Sequence, residues 1–482
     1  MTKTSNRIRP SGLPKLILGI AVALVTLPLG GCRTAMEFPD IKGLYDAVAK
    51  DHPERNPVVV IPGILGTKLV HGETGQVTWG AFGGSAVDPS EAEGARIFSL
   101  PMAEGKPLSE LRDEVVPDGV LETVEVRLAG LPLELRAYVE ILATLGAGGY
   151  RDQDLRGLDY GDGHFTCFQY PYDWRRDNVE SAQKLYRFLK EKRKYVAAEK
   201  LKRWGDSSPV RFDVIAHSMG GLVLRYMLRY GDADLPSDGS LPELTWAGAD
   251  LVDRAILVGT PNAGAVDALV QLVEGRRFGP FTPRFEASVI GTLPALYQLL
   301  PRPRHGQVID SAGQRLDFFD LGLWQRHRWG LADPEQAETL ASLLPDASPD
   351  DRSRIALDHL EKNLERARHF HAALDVAASP PEGTQIMLFA GDAEDTAGRV
   401  RFDPKRKRME IVSLAPGDGT VLRTSALMDE RVGQQVTPGL RTPIDWHQVH
   451  FLFADHLGLT STPEFSDNVL FLLLEAPRPR RE

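Results

Sequence analysis

The sequence has little cysteine. Cys32 and Cys167 are its two cysteines in 482 residues, too few for a disulfide framework and without the spacing of a structural zinc site. A cationic excess is missing too. Lys and Arg number 56 against 66 Asp and Glu, a formal net charge of -10. Such a surface repels nucleic acid phosphates and argues against a nucleic acid partner. Residues 16–29 are apolar, but the run falls short of the roughly 20 residues a membrane-spanning helix needs. No internal repeat is visible. What remains is a chain that is 42% hydrophobic, enough for a sizeable core, at a length that suits one large domain with insertions.

The N-terminus has its own logic. Arg7, Arg9 and Lys15 precede the apolar run, which ends in Leu29-Gly30-Gly31-Cys32. Positive start, short apolar stretch and small residues make a signal peptide, expected over residues 1–31. The Cys after small residues resembles a bacterial lipobox, in which Cys32 is lipidated and becomes the new N-terminus. Several acyl chains on one Cys anchor firmly, at about 0.8 kcal/mol per buried methylene. Arg33 follows the Cys. By resemblance to lipoprotein sorting in double-membraned bacteria, that points to the outer membrane, facing the periplasm. Residues 32–56 are polar, carry Pro39 and Pro53, and read as a tether.

Beyond them the chain alternates. Pro57-Val58-Val59-Val60-Ile61 suits a buried parallel strand, cut off by Pro62-Gly63-Ile64-Leu65-Gly66. Residues 70–125 mix short strands with Gly and Pro. A helix carries Tyr138, Ile141, Leu142 and Leu145 on one face, and residues 164–170 alternate like a strand. A long helix over 178–203 buries Ala182, Leu185, Leu189 and Val196. Residues 212–216 read as a strand, His217-Ser218-Met219 as a turn, and 220–230 as a helix. A further strand spans 254–258. Residues 265–382 break the rhythm and read as an inserted helical cap. The sheet is expected to resume at 385–390 and again near 408–414. A last helix starts at Pro463, a favoured first helical residue, and residues 476–482 form a loose tail. Strand–helix alternation implies an α/β domain over 57–475, a mostly parallel sheet with helices on both faces.

Ala216-His217-Ser218-Met219-Gly220-Gly221 sits where a strand hands over to a helix, the context of a nucleophile elbow. The turn is tight, which explains Gly220. It lifts Ser218 to the sheet edge at the positive end of the following helix, where a developing oxyanion is stabilised. A Ser hydroxyl needs a base, and in this arrangement acid and then His follow the nucleophile. Asp418, in Gly417-Asp418-Gly419-Thr420-Val421, lies on a loop free to turn toward a histidine; Asp392 is the reserve. Three histidines follow Asp418: His447, His450 and His456. His456 lies in the loop before the final helix, the placement that suits the base, with His450 next. A His447/His450 metal pair lacks a third ligand. The oxyanion hole needs two backbone N–H groups, expected from Met219 and Ile64.

These residues resemble the lecithin:cholesterol acyltransferase family, which includes lysosomal phospholipase and plant phospholipid:diacylglycerol acyltransferases. Four segments match in order: Pro62-Gly63-Ile64-Leu65-Gly66, Pro171-Tyr172-Asp173-Trp174-Arg175, residues 216–221, and residues 417–421. The resemblance implies an α/β-hydrolase fold and a Ser218, Asp418, His456 triad, with Ile64 and Met219 as oxyanion donors. It implies a lipid ester substrate, hydrolysis or O-acyl transfer through an acyl-enzyme, and no cofactor. It also implies a lid near residues 74–84, with Trp79 touching lipid. Trp174, Asp173 and Arg175 are expected to be scaffolding near the triad, and Lys405-Arg406-Lys407-Arg408 a solvated hairpin face. The eukaryotic members' lid cysteines are missing, and Gly259-Thr260-Pro261-Asn262 is more like bacterial lipases. A non-catalytic lipid-binding envelope lipoprotein on the same fold is the alternative reading.

Overall fold

A computed structural model describes residues 41–478 apart from 83–85, 122, 129–130, 137, 156–159, 162, 278–281 and 432–436. The expected signal peptide and Cys32 lie outside the described residues, as do residues 479–482 of the tail.

Eight strands organise what matters here: β1 (Val58–Ile61), β2 (Cys167–Gln169), β3 (Phe212–His217), β4 (Val252–Val258), β5 (Gln385–Gly391), β6 (Glu394–Asp403), β7 (Arg408–Gly417) and β8 (Gln448–Leu452). Six helices frame them: α1 (Val139–Ala147), α2 (Asn178–Trp204), α3 (Met219–Tyr230), α4 (Val266–Glu274), α5 (Pro349–Asp375) and α6 (Pro463–Leu474). The central sheet has the order β8-β5-β4-β3-β1-β2, and every pairing in it is parallel. Its inner strands are apolar because both faces are covered. All four residues of β1 and all six of β3 are buried.

The helices start and stop on local chemistry. The Asp177 side chain accepts from Val179 N to cap α2, and Gly205 ends it in the left-handed region at φ 67°. Thr462 caps α6 by accepting from Phe465 N, with Pro463 in its first turn. Helix α3 is buried along its whole length, so it crosses the interior rather than lying on the surface. Between β4 and β5 the chain is mainly helical, from α4 to the 27-residue α5, with short strands at Arg276–Arg277, Arg284–Phe285 and Val308–Ile309.

Three expectations need correction. Residues 408–414 do not rejoin the central sheet. They begin β7, which pairs antiparallel with β6 in a separate three-stranded sheet. Ile411, Val412 and Leu414 are exposed there, so their apolar character does not mark a core strand. The sixth central strand is β8, whose sequence hid it, because only Leu452 of its five residues is buried. Part of the expected tether is folded: Tyr45 is buried and its hydroxyl donates to Asp467 Oδ1 at 2.8 Å.

Trp79 also departs from expectation. Its segment, Val77–Trp79, belongs to a small antiparallel sheet with Thr67–His71 and Val115–Val120. Trp79 is 3% exposed, donates from Nε1 to the Leu65 carbonyl at 2.8 Å, and meets Trp174 and Phe285 edge-on. It is a core residue braced behind the loop that follows β1, not a lipid-touching lid residue. An indole whose N–H finds a backbone acceptor is readily buried.

Candidate active site

The carboxyl ends of the central strands converge on one crevice, the usual site position in an open parallel sheet. Ser218 stands at the turn between β3 and α3 with φ 52° and ψ -126°. A non-glycine residue rarely adopts such a backbone, and it persists only where its surroundings hold it. Here the Ser218 amide donates to the Val258 carbonyl at the end of β4, at 2.7 Å. Two glycines let the chain close in. A Cβ on Gly63 would lie 2.7 Å from Ser218 Cβ, and one on Gly220 would lie 2.5 Å from the Pro62 carbonyl oxygen.

Ser218 Oγ lies 3.0 Å from His456 Nε2, and His456 Nδ1 lies 2.8 Å from Asp418 Oδ2. A carboxylate beside Nδ1 fixes the tautomer: Nδ1–H donates to Asp418, which leaves Nε2 to accept from the Ser218 hydroxyl. Asp418 is 2% exposed, and its other oxygen accepts from the amides of Thr420 at 3.0 Å and Val421 at 2.6 Å. The Gly-flanked loop thus satisfies a buried carboxylate with backbone donors. The two loops are also joined directly, since His456 N donates to the Asp418 carbonyl at 2.9 Å.

The reserve residues stand apart. Asp392 pairs with Arg423, His450 stacks on Phe389 within the sheet, and His447 bonds the Gln385 amide.

In the loop after β1, Gly63 N donates to the Tyr138 hydroxyl at 2.7 Å and Gly66 N to the Gly63 carbonyl at 3.1 Å. Among the described residues, the Ile64 amide has no acceptor, nor does that of Met219, the first residue of α3. These are the two amides expected to line an oxyanion hole. The segment Pro171-Tyr172-Asp173-Trp174-Arg175 braces this loop from behind. The Tyr172 hydroxyl donates to the Pro62 carbonyl at 3.0 Å, and Trp174 Nε1 to the Thr67 carbonyl at 3.2 Å. Arg175 is fully buried between Asp173 and Asp113, at 2.8 and 2.6 Å, and reaches the Phe98 carbonyl. The two carboxylates hold its guanidinium above the usual arginine range against the cost of burial.

A buried hydrogen-bond relay escaped the sequence reading. The Tyr138 hydroxyl, which accepts from Gly63 N, lies 3.0 Å from His217 Nδ1, and His217 Nε2 lies 3.1 Å from the His456 carbonyl. A carbonyl can only accept, so Nε2 carries the proton and the Tyr138 hydroxyl donates to Nδ1. Burial, aided by His456, lowers the His217 pKa to about 3. The imidazole is therefore neutral at any working pH, as the relay requires. Burial also raises the Tyr138 pKa well above its usual value and keeps the hydroxyl protonated. His217 stands next to Ser218, which was the available clue; Tyr138 lies 79 residues away, and no local pattern announces their pairing.

Ser218 and His456 open into a cavity of about 270 Å³. Its walls are mostly apolar, with Phe98, Trp174, Phe285, Ile290, Leu293 and Leu296 among them. Asp267 and Arg276 add charge to one wall and Gln271 an amide, none of them marked by a sequence motif.

A sequence model of the lecithin:cholesterol acyltransferase family matches residues 137–316, a span that holds Tyr138, the Pro171–Arg175 brace, the elbow and α4. No curated protein matches the chain. Among solved structures, a chain of the Tle4-Tli4 complex is similar with a TM-score of 0.53 at 14% identity, over 87% of this chain and 98% of that one. EstA from Clostridium botulinum gives a TM-score of 0.32 at 14% identity, over 89% of each chain. Phospholipase PlaB from Legionella pneumophila gives 0.32 at 15% identity, over 71% of this chain and 56% of that one. At 14% identity the likeness to the Tle4-Tli4 chain is one of fold. With the six-stranded parallel sheet and the elbow at the end of β3, the chain has the α/β-hydrolase fold.

Proposed function

We propose that this chain, with the lecithin:cholesterol acyltransferase segment at residues 137–316, is a serine acyl-hydrolase or O-acyltransferase acting on lipid esters. One observation carries the reading: Asp418, His456 and Ser218 make a continuous hydrogen-bonded line, at 2.8 and 3.0 Å, that ends in an apolar cavity. Non-catalytic binding would not call for a strained Ser at the head of a buried acid–imidazole pair.

The chemistry follows from the geometry. His456 Nε2 takes the hydroxyl proton as Ser218 Oγ bonds to the ester carbonyl carbon. Asp418 holds the imidazole and stabilises its charged form. The carbonyl oxygen becomes an oxyanion facing the Ile64 and Met219 amides at the positive end of α3. As the tetrahedral intermediate collapses, the ester C–O bond breaks and His456 gives its proton to the leaving alcohol. An acyl group remains on Ser218. Water activated by His456 then releases a fatty acid, or an alcohol takes the acyl group as a new ester. The apolar wall suits the acyl chain. No cofactor enters.

An active-site fluorophosphonate tests the nucleophile. One equivalent should attach to Ser218, with labelling abolished in His456→Ala and in unfolded protein. Labelling elsewhere, or none in the folded chain, rejects this assignment. The lipobox-like Leu29-Gly30-Gly31-Cys32 supports attachment through lipidated Cys32 to the outer membrane, facing the periplasm. Acyl-modified Cys32 as the N-terminal residue of the membrane-fraction protein, lost in Cys32→Ser, is the expected finding. An unmodified Cys32 in that fraction rejects it.

A further inference from the structure

Helix α5 supplies none of the described residues that line the catalytic cavity, yet it grips one wall of that cavity at two points. The wall runs from Thr292 to Leu299 around the short helix Pro294–Gln298. Its Leu293, Leu296 and Leu299 line the space that Ser218 and His456 also line. Ahead of the short helix, the Thr292 carbonyl accepts from His359 Nε2 at 3.2 Å. At its last residue, the Gln298 carbonyl accepts from His371 Nε2 at 2.8 Å. Thr292, Gln298, His359 and His371 are all buried.

Two imidazoles are an expensive way to fill this space. A carbonyl can only accept, so Nε2 carries the proton in each ring and Nδ1 is a bare acceptor. Among the described residues, neither Nδ1 has a partner. A buried acceptor left unmet costs stability that an apolar ring of similar size would not. What each histidine supplies is one N–H donor, and both donors go to the same wall.

Resting on the reading of Ser218 as an acyl-transferring nucleophile, we infer that His359 and His371 are positioning residues that clamp this wall and so select the acyl chain by length. A short acyl group on Ser218 ends near the reacting bond. A long one must lie along the apolar lining, where the three leucines are. Those contacts are remote from the chemistry, and they favour one ester over another only while the wall keeps one packing. Other ties keep the wall attached without the histidines: Thr292 Oγ1 accepts from Leu100 N at 3.1 Å, and Gln298 Oε1 from Asn178 N at 2.8 Å. Removing an imidazole donor therefore loosens the wall without detaching it.

The test compares p-nitrophenyl butanoate with p-nitrophenyl decanoate, which share a leaving group and differ in acyl length. The wild type should give the higher kcat/KM on the decanoate. His359→Phe and His371→Phe keep a ring and remove the donor, and each should lower the decanoate-to-butanoate ratio of kcat/KM by about tenfold. His359→Gln and His371→Gln keep an N–H donor and should restore most of the ratio. Where a Phe variant does not fold, the Asn variant, whose amide is too short to replace Nε2, takes its place with the same expected loss. Equal losses on both esters, Gln variants no better than Phe or Asn, or no length preference in the wild type would each overturn the clamp and leave the serine reading standing. Absence of Ser218-dependent p-nitrophenol release from both esters would bring down that reading and the clamp with it.

Discussion

At the scale of single residues, the grouping of Ser218 and Asp418 around one histidine was legible because each of the two belongs to a short motif with its own mechanics. Ser218 needs a strand–turn–helix context and Asp418 a Gly-flanked loop, and both contexts are local. The choice of His456 over His450 was readable from position before the last helix, and the structure brings His456, not His450, to Ser218. The Tyr138–His217 relay was not legible. It joins three loops through side chains distant in sequence, and a tyrosine on an apolar helix face looks like core. Its role can be measured. Tyr138→Phe removes the acceptor for Gly63 N and the donor to His217 while keeping the ring. Loosening the Gly63 loop should lower kcat on a soluble ester by about ten- to a hundredfold, the scale of 1–3 kcal/mol for a buried partner left unmet. KM should change little and the near-ultraviolet circular dichroism should be preserved. A rise in KM at constant kcat would assign the hydroxyl to substrate binding instead.

At the scale of elements, the elbow is a close-packed joint. Gly63→Ala sets a methyl against Ser218 Cβ at 2.7 Å, and both backbones are held by neighbouring strands and loops. Activity should fall by about a hundredfold or more, as displaced catalytic groups do, while thermal unfolding shifts by only a few degrees. Unchanged kcat would mean that the Gly63 loop and the elbow move freely apart. Trp79 separates the sequence expectation from the structure. A lid residue touching lipid would weaken lipid binding when truncated and leave the fold alone. As a buried support under Leu65, Trp79→Ala should lower stability to urea by about 3–5 kcal/mol, with soluble-ester and vesicle activities falling together. The central strands were legible where both faces are buried, as in β1 and β3. β8 was hidden by its polar residues, and β7 misled because Ile411, Val412 and Leu414 are apolar yet exposed. Hydrophobicity indicates burial on average, but edge and outer strands break that link.

At the scale of the whole molecule, burial of histidines couples stability to pH. His217, His359 and His371 are lowered by burial to about 3, about 4 and about 3. Unfolding returns each to the ordinary imidazole value near 6.5. Below that pH the unfolded chain binds protons that the folded chain refuses. Stability is therefore full above about pH 6.5 and falls as the pH drops toward 4, by up to about 1.4 kcal/mol per pH unit for each histidine. The urea midpoint should fall between pH 7.5 and pH 5. In His371→Gln, whose amide can still donate to the Gln298 carbonyl that His371 bonds at 2.8 Å, the fall should be shallower. A midpoint independent of pH over this range would contradict neutral buried histidines. Glu180 and Glu430, held near 2 by their Arg, Lys and His partners, add their own loss only at lower pH, below about 4.5.

If Ser218 carries the acyl group, what leaves the active site depends on it. Mass analysis of acyl products from mixed phospholipid and alcohol vesicles, with the protein and with Ser218→Ala, tests it most directly. A free fatty acid, a new ester or both should form, each lost in the variant: the acid marks water as the acceptor and the ester marks the alcohol. The same acyl products with and without Ser218, or none from either protein, would contradict it.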